Sequence, residues 1–299
     1  MRQYRVVGVG TPTIDHIMRA SQFPARNGSV DVELLGAFGG GRVATALVTA
    51  SRLGHHASLV AEVGDDDNGE MILAGLAEER VDVSLVDRRP GAHSAQSFVV
   101  IDGTGNRTIL YDGGDIVPTH LSARAKEELR TADGVLVEQG GMSLTATRAA
   151  CEGKALVVCD IDALDAEAKE LAGLARVVVA SEEVVERGEA TDPFTVVDVL
   201  LGYGCEVAVV TLGAKGAVGG QGSVRHREAA LPVAVVDATG AGDVYRGAFC
   251  VACLEGSPLV SAMRFAAKIA GRKCLAYGGR AGIPNRSDLD RDSPVAGDH

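Results

Sequence analysis

The sequence predicts an α/β fold in which helices flank a mainly parallel central sheet and a small β lid projects from its edge. Short apolar runs of strand length alternate with longer segments of helical period, which is typical of βα units. The chain of 299 residues is 46% hydrophobic and contains 38 glycines, a composition that suits a buried sheet joined by tight turns. By length alone, it could hold one large α/β domain or two average ones.

The predicted strands and helices alternate from the N-terminus onward. Apolar runs predict strands over 4–9, 57–63, 134–138, 155–160, 176–180 and 206–211. Segments of helical period predict helices over 43–53, 69–79, 123–131, 163–174, 193–201 and 244–254. Asp192 and Ser257, each followed by proline, are expected to cap two helices. Glycine is expected to end those helices, near Gly202 and Gly278.

Two stretches interrupt this alternation and predict the lid. In 95–110 (AQSFVVIDGTGNRTIL), two strand-like runs flank the turn residues 102–106, which predicts a β-hairpin. The stretch 28–38 also breaks the rhythm. Inserted pieces of this kind can project over the carboxyl ends of the strands, where open α/β sheets bind ligands. We assign the lid to segments of approximately 11–38 and 93–116, and we expect the polar tail 285–299 to fray.

The charge and the cysteines limit the classes of partner. The formal net charge of -11 opposes binding to nucleic acid or to an anionic membrane, and no Lys/Arg stripe offsets it. An anionic ligand must therefore be held by glycine-loop amides and helix N-termini. The six cysteines lack the spacing of a secreted disulfide framework and are interpreted as reduced core residues. The N-terminus has no secretory leader pattern, so we expect a cytoplasmic protein.

The strongest chemical signal is the segment 236–249, VDATGAGDVYRGAF, which follows an apolar strand and leads into a helix. The amides of Gly240, Ala241 and Gly242 can converge on one point, and the helix N-terminus adds its positive dipole. Together they predict an anion hole for a phosphoryl oxygen. Asp243 follows at once, where a carboxylate can accept the proton of an attacking hydroxyl. The same pattern also fits a glycine-rich turn in which Asp243 merely stabilises the first helical turn.

The full string closely resembles the signature of ribokinase-like (PfkB) carbohydrate kinases, DTxGAGD followed by an aromatic residue, one further residue and GA. It departs from that signature mainly at Ala238 and Tyr245. Other segments resemble family motifs in the family's order: GVGTPTIDHI, FGGGRVATALVTASRLG, VGDDDNG, TLGAKG and GGRAGIP. The resemblance covers nearly the whole chain. It implies a single ribokinase-like domain over 1–299, an ATP-dependent kinase activity and a small sugar as substrate.

The resemblance also implies roles for individual residues. Asp15 is expected to accept hydrogen bonds from two sugar hydroxyls, and Arg107 of the lid to approach the transferring phosphate. The glycines at the substrate are expected to be Gly39, Gly40 and Gly41. The nucleotide-binding residues are expected to be Ser181, Thr211, Gly213, Gly216, Gly240 and Gly242. The metal-binding residues are expected to be Glu182 for Mg²⁺, with Asp237 and Thr239 for K⁺. The implied cofactors are ATP, Mg²⁺ and K⁺, and a homodimer is expected to form through the β lid.

These residues also have purely structural interpretations. Asp15 can serve as a cap or turn carboxylate, and Arg107 as a solvated turn residue. The glycines at 39–41 can simply permit a turn. The family's Asn-x-x-Glu motif is replaced here by SEEV at 181–184, with the acidic group displaced, which leaves the magnesium ligand open.

The sequence specifies the substrate less closely than it specifies the type of reaction. GGGRVATA, VGDDDNG and KCLAYGGRAGIP most resemble sulfofructose kinases, whereas GNRTILY and AGRKC are similar to ketohexokinases, and both classes act on ketoses. Ala44 stands where many members carry asparagine, which disfavours ribose. Sulfofructose is expected to need a cationic or amide clamp, and the corresponding segment 136–144 (LVEQGGMSL) contains no arginine. We therefore expect a neutral ketose, a sugar acid or a related polyol.

Three other functions stay open at this point. A nucleoside kinase would share the fold. A non-catalytic nucleotide or sugar sensor would also share it, although such a sensor is expected to lose the base or the anion hole, and both are intact here. A dehydrogenase is suggested by VVGVGTPT, but Thr13 stands at the third glycine position of the dinucleotide-binding fingerprint.

Overall fold

The computed structural model describes residues 2–103, 107–116, 120–186 and 192–291 of the chain. Its strands are numbered in chain order. They are β1 (Arg5–Val9), β2 (Thr13–Ala20), β3 (Val32–Gly40), β4 (His56–Gly64), β5 (Val81–Arg89), β6 (Gln96–Ile101), β7 (Arg107–Asp112), β8 (Gly134–Glu138), β9 (Leu156–Ile161), β10 (Val177–Ser181), β11 (Val207–Thr211), β12 (Ala217–Gln221) and β13 (Val224–Glu228).

Helices connect most of these strands. They are α1 (Arg42–Arg52), α2 (Asp67–Glu78), α3 (Ala123–Thr131), α4 (Ser143–Cys151), α5 (Ala166–Leu174), α6 (Glu183–Glu186), α7 (Pro193–Tyr203), α8 (Ala241–Leu254), α9 (Leu259–Lys273) and α10 (Arg286–Arg291). A short 3₁₀ turn spans Gly213–Lys215. Across the described ranges, no helix combines the length and the apolar character that crossing a bilayer demands.

Among the described residues, nine strands form the central sheet in the order β13-β12-β11-β10-β9-β8-β1-β4-β5. The neighbours from β11 to β5 pair in parallel, and β12 and β13 add an antiparallel edge. The strands are rich in β-branched residues, and β10 (VVVAS) is buried along almost its whole length, as expected for strands covered on both faces. The α/β fold class is confirmed, and the six predicted strands lie within one residue of their expected bounds.

Each face of the sheet has its own hydrophobic core, because alternate residues of a strand point to opposite sides. Val6 of β1 and Leu136 of β8 lie in the core that α1, α2, α8 and α9 cover. Val7 and Val135, one position away in the same strands, lie in the core that α3, α4, α5 and α7 cover. Because the strands from β11 to β5 are parallel, their carboxyl ends lie at one edge of the sheet.

The described part of the chain also forms a second, smaller sheet of four strands in the order β3-β2-β6-β7. Phe98 of β6 pairs with Leu110 of β7 in an antiparallel register, which confirms the predicted hairpin. Its turn residues 104–106 lie outside the described residues, as does the part of the tail beyond 291. The first part of the tail does not fray as expected, because it forms α10 and Arg286 donates to the Leu53 oxygen at 3.0 Å. These strands fall in the two segments assigned to the lid, although β3 runs on to Gly40 and leads directly into α1.

Two predicted helix caps are corrected. Asp192 occupies the N-cap position of α7, but its side chain makes no capping hydrogen bond to the described first turn. The N-cap of α9 is Pro258, and Ser257 lies one residue too early to cap it. The Ser257 amide instead donates to the backbone oxygen of Ala252, in the turn that ends α8.

Two predicted helix ends also differ. α7 continues past Gly202 to a C-cap at Gly204, whose φ of 125° suits glycine. α9 ends at Lys273, well before Gly278. The reason is tertiary, because the backbone oxygen of Cys274 accepts hydrogen bonds from the loop before α8 and draws the chain out of the helix.

Candidate active site

The first turn of α8 offers amides to an open space. Its N-cap is Gly240, with a left-handed φ of 74° that favours glycine. A Cβ at Gly242 would meet no atom within 4 Å. The amides of Gly242 and Asp243 have no acceptor in the described chain, whereas the Ala241 amide donates to the Ala238 oxygen at 3.2 Å. The turn can therefore receive an anion, but the predicted contribution of the Ala241 amide is already used within the loop.

Asp243 does not cap this helix. It is the third residue of α8, and its carboxylate forms an ion pair with Arg246, three residues further on. Arg246 is only 6% exposed and also donates to Asp160 of β9 at 2.5 Å. One arginine thus ties the predicted base to the central sheet.

Arg42, the first residue of α1, extends this charge network. Its guanidinium donates to Asp160 at 3.2 Å and to Asp162 at 2.9 Å, and its Nε lies 3.4 Å from a carboxylate oxygen of Glu138. Glu138 is the last residue of β8. The network therefore gathers the carboxyl ends of β8 and β9 and the start of α1 around Asp243.

Burial and the neighbouring charges act on the pKa of Asp243 in opposite directions. Burial raises the pKa of the Asp243 carboxyl, while the positive charge of Arg246, followed by Arg42 and the lid arginine, opposes the rise. Burial likewise raises the pKa of Asp160, against the charges of the same two network arginines. Burial favours the protonated form of this carboxylate, whereas the neighbouring cation keeps it ionised. A carboxylate balanced in this way is suited to accept a proton.

Asp15 lies in β2 and is 7% exposed. Thr13 donates its hydroxyl to the Asp15 carboxylate at 2.9 Å, and burial raises the pKa of Asp15. A Cβ at Gly40 would collide with the Asp15 carboxylate, and one at Gly39 would collide with the guanidinium of Arg280. These glycines therefore make room for two charged side chains. This role differs from both interpretations of the sequence, which were contact with the substrate and formation of a turn.

Arg280 is a neighbour of Asp15 that the sequence analysis missed. It is 7% exposed and donates through Nη2 to the Gly40 oxygen at 2.5 Å, and its Nε finds no partner among the described residues. Burial lowers the pKa of Arg280 to about 10, although the nearby Asp15 carboxylate opposes this. Gly41, with a φ of 88°, turns the chain from β3 into α1 beside them. An N–H donor and a carboxylate acceptor thus lie close together, as binding of neighbouring sugar hydroxyls requires.

Ser181 and Thr211 end two neighbouring strands and pair directly in the register of β10 and β11. The Ser181 hydroxyl is buried and has no hydrogen-bond partner within the described chain. Buried hydroxyls normally have partners, so a bound group would satisfy this one. Gly213 follows β11 with a φ of 54° and opens the 3₁₀ turn. The structure brings these three predicted nucleotide residues together at the carboxyl edge of the sheet.

Two further predicted residues have structural neighbours that explain their positions. The Glu182 carboxylate lies 3.1 Å from where a Cβ at Gly213 would stand. A Cβ at Gly216 would collide with the backbone of Glu228, so the β12–β13 hairpin requires this glycine whatever binds nearby. Within the described residues, no three His, Cys, Asp or Glu side chains form a cluster suited to a metal ion. A magnesium ion here would take most of its ligands from nucleotide phosphates and water.

Arg107, the first residue of β7, reaches from the lid to the loop before α8. Its Nη1 donates to the backbone oxygen of Ala238 at 3.3 Å, and its charge opposes the rise in the pKa of Asp243. The residue as a whole stays exposed. Arg107 therefore connects the lid to the site and is more than a solvated turn residue.

Asp237 and Thr239, predicted to hold K⁺, are buried in the same loop. The Asp237 carboxylate accepts hydrogen bonds from the amides of Thr239 at 2.7 Å and Gly278 at 2.8 Å. The backbone oxygen of Asp237 accepts one from Lys273 Nζ at 2.8 Å. The Thr239 hydroxyl is buried and has no partner among the described residues. A K⁺ ion at the Asp237 backbone oxygen would lie next to the Lys273 ammonium, and the like charges would repel, so this position fits a K⁺ ion poorly.

The site residues that the sequence analysis missed are charged and come from separate segments. They are Arg42, Glu138, Asp160, Arg246, Lys273 and Arg280. The spacing of three residues between Asp243 and Arg246 was a usable signal, because it places both on one helix face. The pairing of Asp160 with Arg246 had no such signal, since 86 positions separate them.

The structure also weakens one inference about the substrate. The segment 136–144 lacks arginine, but other segments supply cations to the site. Arg42 and Arg246 are paired with carboxylates, whereas Arg280 keeps one N–H group without a partner in the described chain. The absence of arginine from one segment therefore does not exclude an anionic sugar.

Known proteins share this architecture. Residues 3–286 match a model described as pfkB family carbohydrate kinase. A ribokinase of Bacillus subtilis is 25% identical over 286 residues, which cover 94% of this chain and 97% of that protein. A nucleoside kinase of Methanothermobacter thermautotrophicus is 24% identical over 294 residues, covering 95% and 93%. The structure of Arabidopsis thaliana ribokinase complexed with ribose and ATP has a TM-score of 0.84 at 22% identity, covering 97% of this chain and 98% of that one.

Proposed function

Since the chain belongs to the pfkB family of carbohydrate kinases and is an ATP-dependent sugar kinase, we propose that it phosphorylates a hydroxyl of a small free sugar with Asp243 as the general base. The observation that carries this proposal is the buried Asp243 carboxylate in the first turn of α8, beside the open space at Gly242. A base and amide donors next to one cavity are what phosphoryl transfer to an alcohol requires.

In the proposed reaction, Asp243 accepts the proton of the sugar hydroxyl while the hydroxyl oxygen attacks phosphorus. Arg246 holds the carboxylate in place and favours its ionised form. The Gly242 amide, within the Gly240–Gly242 anion hole, and the α8 dipole face the negative charge that develops on the phosphoryl oxygens. Arg107 adds a positive charge from the lid. Asp15 and Arg280 bind the sugar hydroxyls away from the reacting one.

We assign the nucleotide to the carboxyl ends of β10 and β11. The unpartnered buried hydroxyl of Ser181, at the end of β10, supports this assignment. Mg²⁺ bound to the phosphates, with Glu182 as the proposed protein ligand, would neutralise the charge that builds up during transfer. The chain carries a net charge of -11, so its overall field cannot do so. The residues assigned to ATP are Ser181, Thr211, Gly213, Gly216, Gly240 and Gly242.

For the substrate we propose a ketose-like sugar, with ribose as the main competitor. The ketose preference rests on the motifs at 39–46, 63–69 and 273–284. Ribose is favoured by the relatives named ribokinase, among them the B. subtilis protein. Nucleosides stay on the test panel because a nucleoside kinase is similarly related.

A substrate panel tests the proposal. ADP formation from ATP and Mg²⁺ would be measured with ketoses, ribose and other aldoses, sugar acids, sulfofructose and nucleosides, with Asp243→Asn as the background control. We expect one class of small sugar to exceed the variant by at least about 100-fold, and chelation of Mg²⁺ to stop turnover. Turnover with nucleosides alone would support the nucleoside kinase. Nucleotide binding without turnover on any compound would support a non-catalytic sensor.

We further propose that residues 1–299 form one domain whose lid, built from segments 11–38 and 93–116, pairs two copies of the chain. The outer lid face carries Leu34, Phe98 and Leu110, which are 69%, 39% and 53% exposed. The strand register places them on the same side of the lid sheet. A two-fold pair would bury this self-complementary apolar surface. The six free cysteines suit a reducing compartment, and we propose the cytoplasm.

A further inference from the structure

Lys273, the last residue of α9, is completely buried, with an exposed fraction of 0%. A buried ammonium group is costly unless it is paired and hydrogen-bonded. Its Nζ donates to the backbone oxygen of Asp237 at 2.8 Å. Asp237 begins the loop that leads through the anion hole to the proposed base, so this buried positive charge lies directly behind the catalytic loop.

The contacts around Lys273 join two loops. The Asp237 carboxylate accepts hydrogen bonds from the amides of Thr239, in its own loop, and of Gly278, in the loop after α9. The Cys274 oxygen accepts further bonds from the amides of Val236 at 2.8 Å and Asp237 at 3.3 Å. The first of these loops carries the anion hole, and the second carries Arg280. The order of both therefore depends on the position of Asp237.

The charged groups facing Lys273 are mixed in sign. The carboxylates of Asp237 and Asp243 favour its ammonium form, and the Arg107 cation disfavours it. Burial is the largest effect and lowers the pKa of Lys273. The hydrogen bond to the Asp237 oxygen requires an N–H donor, which the ammonium supplies.

We propose that Lys273 is a built-in monovalent cation that orders the catalytic loop, so that this kinase works without bound K⁺. An ammonium group and K⁺ each carry one positive charge and bind carbonyl oxygens. In this chain the backbone oxygen of Asp237 accepts a hydrogen bond from Lys273, and the Asp237 carboxylate accepts hydrogen bonds from two amides. A K⁺ ion bound to the same Asp237 backbone oxygen would lie next to the buried Lys273 ammonium, and two like charges in a buried site repel each other. The inference rests on the proposed kinase function only for its activity readout.

The test compares the wild-type protein with Lys273→Met in buffers whose monovalent cation is K⁺, Na⁺ or tetramethylammonium. For the wild type we expect the same turnover and the same thermal midpoint in all three, within about twofold in rate. For Lys273→Met we expect a loss of about tenfold or more in tetramethylammonium, which K⁺ partly restores and Na⁺ restores less. Lys268→Met, on the same helix and partly exposed, is the matched control and should behave as the wild type.

Two readouts do not depend on turnover and so separate this inference from the proposed function. K⁺ should raise the thermal midpoint of Lys273→Met but not that of the wild type. Crystals soaked in rubidium should show an anomalous peak beside the Asp237 oxygen in the variant only. Activation of the wild type by K⁺ beyond about fivefold, or a rubidium peak in it, would overturn the inference even if the variant did not fold. A folded Lys273→Met variant with full activity in tetramethylammonium would also overturn it.

Discussion

At the scale of single residues, the chemistry of this protein depends on how Asp243 is held. Burial raises its pKa, and the ion pair with Arg246 counteracts that rise. The same arginine bonds Asp160, which Arg42 also binds. Two functions of these side chains can be separated by mutation: the acceptance of a proton, and the positioning of the group that accepts it.

Asp243→Asn tests the first function. The amide keeps the shape and can still contact Arg246, but it cannot take up the hydroxyl proton, so we expect turnover to fall by about 10² to 10⁴. This corresponds to about 3 to 5 kcal/mol of transition-state stabilisation. Nucleotide affinity and thermal midpoint should change little. Asp162→Asn, which removes a carboxylate of the same network that does not touch the base, is the control. Equal losses in the two variants would reject Asp243 as the base.

Arg246 tests the second function through the pH dependence of turnover. A neighbouring cation lowers the pKa of a carboxylate, so its removal in Arg246→Gln should raise the pKa of Asp243 further. The acidic limb of the rate profile should then move to higher pH by about one to three units. The loss of rate should be larger at low pH than at high pH.

A charge-preserving variant distinguishes positioning from folding. Arg246→Lys keeps the positive charge, so its acidic limb should stay closer to that of the wild type. Breaking a buried ion pair destabilises a protein by about 3 to 5 kcal/mol, so the thermal midpoint of each variant must be measured alongside. A folded Arg246→Gln variant with an unshifted limb would show that Arg246 has only a structural role.

At the scale of secondary-structure elements, the lid contacts the loop that precedes α8. β7 begins with Arg107, which bonds the loop before α8, and β3 runs without a break into α1 and the Arg42 network. The lid is therefore linked to the base from both of its ends. Movement of this sheet would change the surroundings of the base and of the sugar site together.

Arg107→Ala tests the lid contact. Loss of a cation that faces the transferring group should lower turnover by about tenfold, or about 1.4 kcal/mol, with little change in nucleotide affinity. Arg19→Ala is the matched control, because Arg19 lies in the same sheet and pairs with Glu33 at the surface. The contact would be irrelevant to catalysis if the two variants had the same rate constant.

At the scale of the whole molecule, the negative net charge and the apolar lid face have opposite effects on the association of two copies. The net charge of -11 keeps copies apart at low salt, whereas the face formed by Leu34, Phe98 and Leu110 favours association. We expect the wild type to sediment as a dimer. Leu34→Glu should give a monomer, because it places a charge in the interface. Val224→Glu, a similarly exposed position at the edge of the central sheet, should leave the dimer intact. A wild type that is monomeric at all concentrations would contradict the proposed pairing.

The sequence by itself determined the features that depend on neighbouring residues. Strand and helix periods gave the α/β class and most element bounds, because burial on one or two faces imposes a local pattern. The glycine turn ahead of Asp243 was recognisable for the same reason, since a left-handed backbone such as that at Gly240 favours glycine. Caps were predicted less well, as with Ser257, because a cap depends on which residue the chain turns at.

Only the tertiary structure decided which charges surround the base and the sugar site. Asp160 and Arg246 are 86 positions apart, Arg42 and Asp160 are 118 apart, and Gly40 and Arg280 are 240 apart. No local pattern encodes such pairings. They arise because parallel strands end at a common edge, where loops from distant segments converge and buried charges must find partners.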